Sequence, residues 1–132
     1  MIHLDSDISI EIMRGNQLAT TRLEAAEDRV AIGTVVLAEL LFGAENSRDP
    51  AASKSEIERL LLSVDVIPFG TNCAREYGRI RLALQRAGRT TGATDTFIAA
   101  TAVAYGATLI THNTRHFQHV PGLRLEDWLA TA

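Results

Sequence analysis

The sequence carries a single cysteine, Cys73, in 132 residues, so no disulfide can form within the chain. That usage fits a compartment where thiols stay reduced. No apolar run approaches the roughly 18–20 residues needed to cross a bilayer. The opening Met1-Ile2-His3-Leu4-Asp5-Ser6-Asp7 lacks the basic start and apolar stretch of a secretion signal. A cytoplasmic protein without a membrane partner is expected. Repeats, low-complexity tracts and Pro/Gly-rich linkers are missing too, and one domain spanning residues 1–132 is expected. Positive charge is not in excess: 13 basic residues stand against 16 acidic ones, for a net charge of −3. The chain is therefore not basic throughout, although an acidic total can still hide a basic face. Lysine is almost absent, Lys54 being the only one, and the remaining basic residues are arginine.

What is present is a globular profile, with 46% apolar and 22% charged residues. Short apolar runs alternate with helical patterns. Residues 2–4 read as a strand leading to Asp5, with Ile8 and Ile12 marking a helix beyond it. Residues 30–32 read as a second strand, with Gly33-Thr34 as turn and cap before an apolar helix over 35–44. Asp49-Pro50 opens another helix whose Ile57, Leu60 and Leu61 face inward. A third strand over 64–67 stops at Pro68, and a long helix over 72–87 gathers Cys73, Tyr77, Ile80 and Leu84 on one face. Thr94 or Asp95 starts a helix that Gly106 ends. Residues 107–111 form a fourth strand, 123–125 a candidate fifth, and Trp128 packs a short terminal helix back onto the domain. Strands alternating with helices imply an α/β fold: a mostly parallel central sheet with helices on both faces.

In such sheets, function gathers beyond the carboxyl ends of the strands. Asp5 ends the first strand, Glu39 lies just over one turn into the helix after the second, and Asp95 begins the helix leading to the fourth. Thr111-His112-Asn113 lies where that fourth strand ends. Each acid has an ordinary alternative. Asp5 could simply cap a helix, and Asp95 could complement a helix dipole. Glu39, whose neighbours at i−4, i−3, i+3 and i+4 are Val35, Val36, Phe42 and Gly43, could point to solvent or meet a cation from outside its helix. Together, three carboxylates on one rim would repel one another, and a hard divalent cation such as Mg²⁺ would satisfy them all. A carboxylate-bound cation that keeps its waters suits hydrolysis of a phosphodiester.

These segments carry a resemblance. Asp5-Ser6-Asp7 after a short strand resembles the Asp-Thr-Asn opening of PIN domains. Val36-Leu37-Ala38-Glu39-Leu40 is similar to their apolar helix with one buried Glu, and Thr91 to Ala100 to their third-acid segment. The stretch from Gly106 to Phe117, followed by Val120-Pro121-Gly122-Leu123, is similar to the close of VapC-type toxins. The match runs nearly end to end, in order. It implies a three-layer α/β/α sandwich and a metal-dependent endoribonuclease that hydrolyses RNA. It also implies the toxin half of a toxin–antitoxin pair, acting as a homodimer and inhibited by a cognate antitoxin. Asp5, Glu39 and Asp95 take the positions of its catalytic, Mg²⁺-binding acids, with Mn²⁺ as a substitute. Two residues depart from the pattern: Asn113 stands where many relatives carry a fourth acid, and Asp7 where Asn is usual.

Other features suggest less. His112 and His116 have i, i+4 spacing, but Asn113-Thr114-Arg115 between them offers no Glu to serve as the base of a zinc hydrolase. Arg75, Arg79 and Arg86 share a helix face, with Arg81 and Arg89 nearby, readable as a solvated face or as a track for an RNA backbone. Cys73 reads as a small core hydrophobe. A phospho-receiver module would need an Asp ending the third strand and a Lys near the end of the fifth, and the chain has neither. The alternative kept is a PIN-fold protein that binds RNA or a partner without cleaving.

Overall fold

The computed structural model describes residues 1–130. Five strands, β1 (Ile2–Leu4), β2 (Val30–Gly33), β3 (Asp65–Ile67), β4 (Thr108–Ile110) and β5 (Arg124–Glu126), form one sheet in the order β3-β2-β1-β4-β5. Every pairing is parallel, with Ile2 opposite both Val30 and Thr108 in the register. Parallel neighbours need crossovers, which the helices α1 (Ser6–Met13), α2 (Gln17–Ala25), α3 (Thr34–Glu45), α4 (Pro50–Leu60), α5 (Thr71–Arg86), α6 (Ala93–Ala104) and α7 (Thr114–Phe117) supply. Crossovers of this kind are right-handed. The chain runs outward from β1 to β3 and then returns to β4, so α1–α4 and α5–α6 cover opposite faces. The three-layer expectation holds.

Local chemistry sets the helix ends. Asp49 Oδ1 accepts from Ala52 N at 3.1 Å, with Pro50 in the first turn of α4. Gly106 closes α6 at φ +65°, where Ala107 N donates to Ala102 O at 2.8 Å. Leu4, Ile8, Ile32, Val36, Leu109 and Ile110 are all buried. Cys73 is buried with its Sγ 3.9 Å from Pro68 O, a core residue as expected. Among the described residues no helix is long and apolar enough to cross a membrane.

Several details differ from expectation. Helix α2 is additional; Asn16 caps it by accepting from Ala19 N at 3.2 Å, but its apolar residues are too sparse to show a stripe. The single turn α7 is additional too. Trp128 is buried as expected, but residues 127–130 hold turns rather than a helix, and the ring is packed beneath Arg22, 5.7 Å from the guanidinium carbon.

Gly33, expected as a turn, is instead the last residue of β2 and the N-cap of α3. Thr34, expected as the cap, uses its hydroxyl to accept from Phe69 N at 3.1 Å. The need for glycine at position 33 comes from His3 on the central strand. His3 is fully buried, and its Nε2 accepts from Gly33 N at 3.0 Å, so the ring proton resides on Nδ1, which has no partner. Burial pushes the imidazole pKa down to about 4. A Cβ at position 33 would lie 2.8 Å from His3 Nε2 and 3.2 Å from Thr101 Cγ2, inside normal contact. Gly33→Ala should therefore cost roughly 1–3 kcal/mol of stability by overpacking. Gly43→Ala, in open space on α3, should be neutral or gain about 0.5–1 kcal/mol from helix propensity. Urea titrations of the two variants check this, and equal midpoints would refute the close approach.

Candidate functional site

The strand order reverses about β1, whose neighbours β2 and β4 lead to opposite edges. A crevice opens at such a switch point, outside the carboxyl ends of the strands. Asp5 leaves β1 there, held in register by its N–H donating to Ile110 O at 2.9 Å. Its carboxylate is buried. Oδ1 accepts from Ser6 N at 2.8 Å, and Oδ2 accepts from the Thr111 hydroxyl at 2.8 Å. Asp5 is thus a helix cap, one of the two readings, but its second oxygen binds the strand next door.

Asp7, in the first turn of α1, faces the same place. Its Oδ1 accepts from Ile8 N at 2.7 Å, and its Oδ2 accepts from His112 N at 3.0 Å. It anchors the β4–α7 loop. Asp95, in the first turn of α6, has Oδ2 3.2 Å from His116 Nδ1. Glu39 departs from the expectation of a buried acid: it is exposed and, among the described residues, forms no ion pair. Apolar helix neighbours mislead at this position because α3 buries Val36, Leu40 and Ala44, leaving Glu39 on the outer side.

Electrostatics ties these groups together. The Asp5 pKa is raised from 3.8 to about 6, first by burial and then by the charge of Asp7, with Asp95 adding more; bonds from Thr111 and Ser6 oppose the shift. The Glu39 pKa is also raised, by partial burial and then by Asp95 and Asp7, against a bond from the Ser6 hydroxyl. The four acids therefore lie within electrostatic reach of one another. They are not drawn together: among the described residues no group of three His, Cys, Asp or Glu stands ready to hold a metal ion. The donor set is nonetheless all carboxylate oxygen, and among the described residues no Lys or Arg pairs with any of the four. That chemistry suits a hard, oxygen-seeking cation rather than zinc.

The PIN domain family model matches residues 2–123. The chain belongs to the PIN-domain family. It is 36% identical over 126 residues to the tRNA(fMet)-specific endonuclease VapC of Shigella flexneri, covering 95% of this chain and 96% of that one. It is similar to VapBC2 from Rickettsia felis, whose crystal structure holds a DNA fragment from its promoter. The TM-score is 0.92 at 32% identity, over 97% of this chain and 99% of that one. DNA-bound VapBC from Salmonella typhimurium gives 0.91 at 31% identity, over 97% and 99%.

Within this PIN domain, Thr111 lies at the strand end as expected but bonds Asp5, and His116, read in the sequence only as half of an i, i+4 pair, stands beside Asp95. Thr111 directly follows β4, and a hydroxyl there bears on the acid that follows β1 only once β1 and β4 are known to be neighbours. Asn113 is exposed, caps α7 without a side-chain bond, and donates its backbone N–H to Thr111 Oγ1 at 3.1 Å. His112 Nδ1 lies 2.9 Å from Asp127 Oδ2, so the two histidines of the i, i+4 pair serve different acids.

Two buried groups make stability depend on pH in opposite directions. The raised pKa of Asp5 supplies stability that is full below 3.8 and lost as pH rises through about 6. The lowered pKa of His3 supplies stability that is present above 6.5 and lost as pH falls through about 4. Each is worth about 3 kcal/mol at 1.36 kcal/mol per pKa unit. In EDTA the two should largely cancel between about pH 4 and 6.5. Asp5→Asn removes one of them, so this variant should lose about 3 kcal/mol on going from pH 6.5 to 4. Denaturant melts across that range check it, and a variant with the flat profile of wild type would disprove the opposition.

Proposed function

We propose that the chain is an endoribonuclease, the toxin of a toxin–antitoxin pair, which hydrolyses RNA phosphodiester bonds using Mg²⁺ held by Asp5, Glu39 and Asp95. The observation that carries this is the cation-free group of acids at the switch point, in a chain whose relatives are named ribonucleases. When bound, the ion supplies a Lewis acid for the phosphoryl oxygens and lowers the pKa of a bound water. The chain's own groups set the stage. Thr111 and Ser6 fix the Asp5 carboxylate, and Oδ2, which accepts from Thr111 alone, keeps a lone pair free. His116 restrains Asp95. Glu39 is exposed, so its carboxylate is open to a water and can accept a proton from it. In the hydrolysis the water oxygen joins phosphorus, a P–O bond to ribose breaks, and the released oxygen takes up a proton.

The antitoxin reading draws on neighbours solved as VapBC complexes. It draws as well on Phe42, 73% exposed and one turn beyond Glu39 on α3, an apolar surface that a partner would cover. An arginine from that partner would satisfy the acids in place of the metal, forking onto carboxylate oxygens while keeping its charge. A second copy of the chain, in a homodimer, and a cytoplasmic site of action belong to the same proposal. A tRNA is the first substrate to test, since the Shigella flexneri and Salmonella typhimurium relatives are named tRNA(fMet)-specific endonucleases.

Glu39→Gln and Asp95→Asn should each nearly abolish Mg²⁺-dependent cleavage of a labelled RNA pool while the proteins remain folded. Cleavage by Glu39→Gln at the wild-type rate would remove it from the site. Millimolar Mg²⁺ or Mn²⁺ should also raise the melting midpoint, since a ligand at 100 times its dissociation constant adds about 2.7 kcal/mol. A shift that persists unchanged in Asp95→Asn would place the metal elsewhere.

A further inference from the structure

Beside the acidic rim lies a cleft of about 370 Å³, between the end of α5, the loop joining α5 to α6, and α7. Arg89, Thr90 and Thr91 line one side, and Arg115, His116 and His119 the other. No carboxylate lines it, which reverses the local sign of charge in a chain of net charge −3. Arg14, Arg22, Arg29 and Arg79 are each paired with an acid. Arg89 and Arg115 are exposed and, among the described residues, pair with none.

The walls are fixed to each other and to the acids. Thr91 Oγ1 donates to His116 O at 3.1 Å, tying the loop to α7, and Arg89 N donates to Leu84 O at 2.9 Å, tying it to α5. His116 also stands 3.2 Å from Asp95, so one residue borders both the cleft and the rim. An RNA strand approaching four carboxylates is repelled unless cations hold it close by. Guanidinium forks and threonine hydroxyls are donors suited to phosphate oxygens.

We infer that this cleft binds a backbone phosphate of single-stranded RNA, next to the phosphodiester presented to the acids, through Arg89 and Arg115 with His119 and the threonine hydroxyls. The inference rests on the ribonuclease reading for the identity of its ligand, yet binding can be measured apart from cleavage.

The test is fluorescence anisotropy with a short fluorescein-labelled single-stranded RNA, in EDTA, over a series of salt concentrations. Arg89→Ala combined with Arg115→Ala should weaken binding about tenfold. It should also flatten the dependence of log K on log salt by roughly 1.4, at about 0.7 for each phosphate of a single strand that is no longer neutralised. Arg115→Lys should keep the salt slope of wild type. Arg75→Ala combined with Arg86→Ala, on the exposed face of α5, should leave affinity and slope nearly unchanged. With Mg²⁺ restored, the cleft variant should raise KM while kcat stays within about twofold. Equal losses from the two double variants would mean diffuse attraction and overturn the cleft, as would wild-type binding by the cleft variant or no binding by wild type. If wild type binds with the expected slope but no metal brings cleavage, the cleft stands and the ribonuclease reading falls. Cleavage by wild type, with wild-type binding by the cleft variant, overturns the cleft and leaves the ribonuclease reading standing.

Discussion

The hydrogen bond from the Thr111 hydroxyl to Asp5 joins the ends of β1 and β4 at the point where the sheet's strand order reverses. The rest of the site depends on it. A carboxylate buried at that junction is costly unless its oxygens are met by donors. The fold provides two neutral donors, from Ser6 and Thr111, and no cation among the described residues. The carboxylate is left oriented but short of positive charge, and Asp7 and Asp95 deepen the deficit. The acids are thus arranged at the expense of fold stability, the arrangement expected of a site that a ligand completes.

The central strand imposes a second constraint. β1 is flanked on both edges, and within it His3 and Leu4 are fully buried. An imidazole in such a place is tolerated only as a neutral acceptor for the Gly33 N–H. That bond brings the two strands close enough to exclude any side chain at position 33. Glycine at the start of α3 is therefore a packing requirement between β1 and β2, and it helps set where the helix bearing Glu39 departs from the sheet.

How much of this is legible in the sequence depends on how far each feature reaches. Strands with short apolar runs ending at Asp5 and Pro68, and caps such as Asp49 and Gly106, act within a few residues and can be read directly. The parallel α/β architecture follows from their alternation. What escapes is set by neighbours distant in sequence. The exposure of Glu39 depends on which face of α3 the domain buries, and helix neighbours alone cannot give it. The Thr111–Asp5 and His116–Asp95 pairs span 106 and 21 residues. The turn of Asp7 toward the β4–α7 loop likewise needs the fold before it can be seen.

The strand order also governs when the site comes into existence. Of the five strands β1 is made first, but its two partners begin at residues 30 and 108, and β5 completes the edge at 124–126. Contacts of such long sequence separation form late in folding, after the loop entropy between them has been overcome. One edge of β1 has no partner strand until β4 has been made. Asp5, Glu39 and Asp95 are all made before Thr111, and until β4 pairs with β1 they have no crevice in common. The acids share one crevice only once β4 has joined β1, so the site belongs to the finished sheet and to no earlier stage of it.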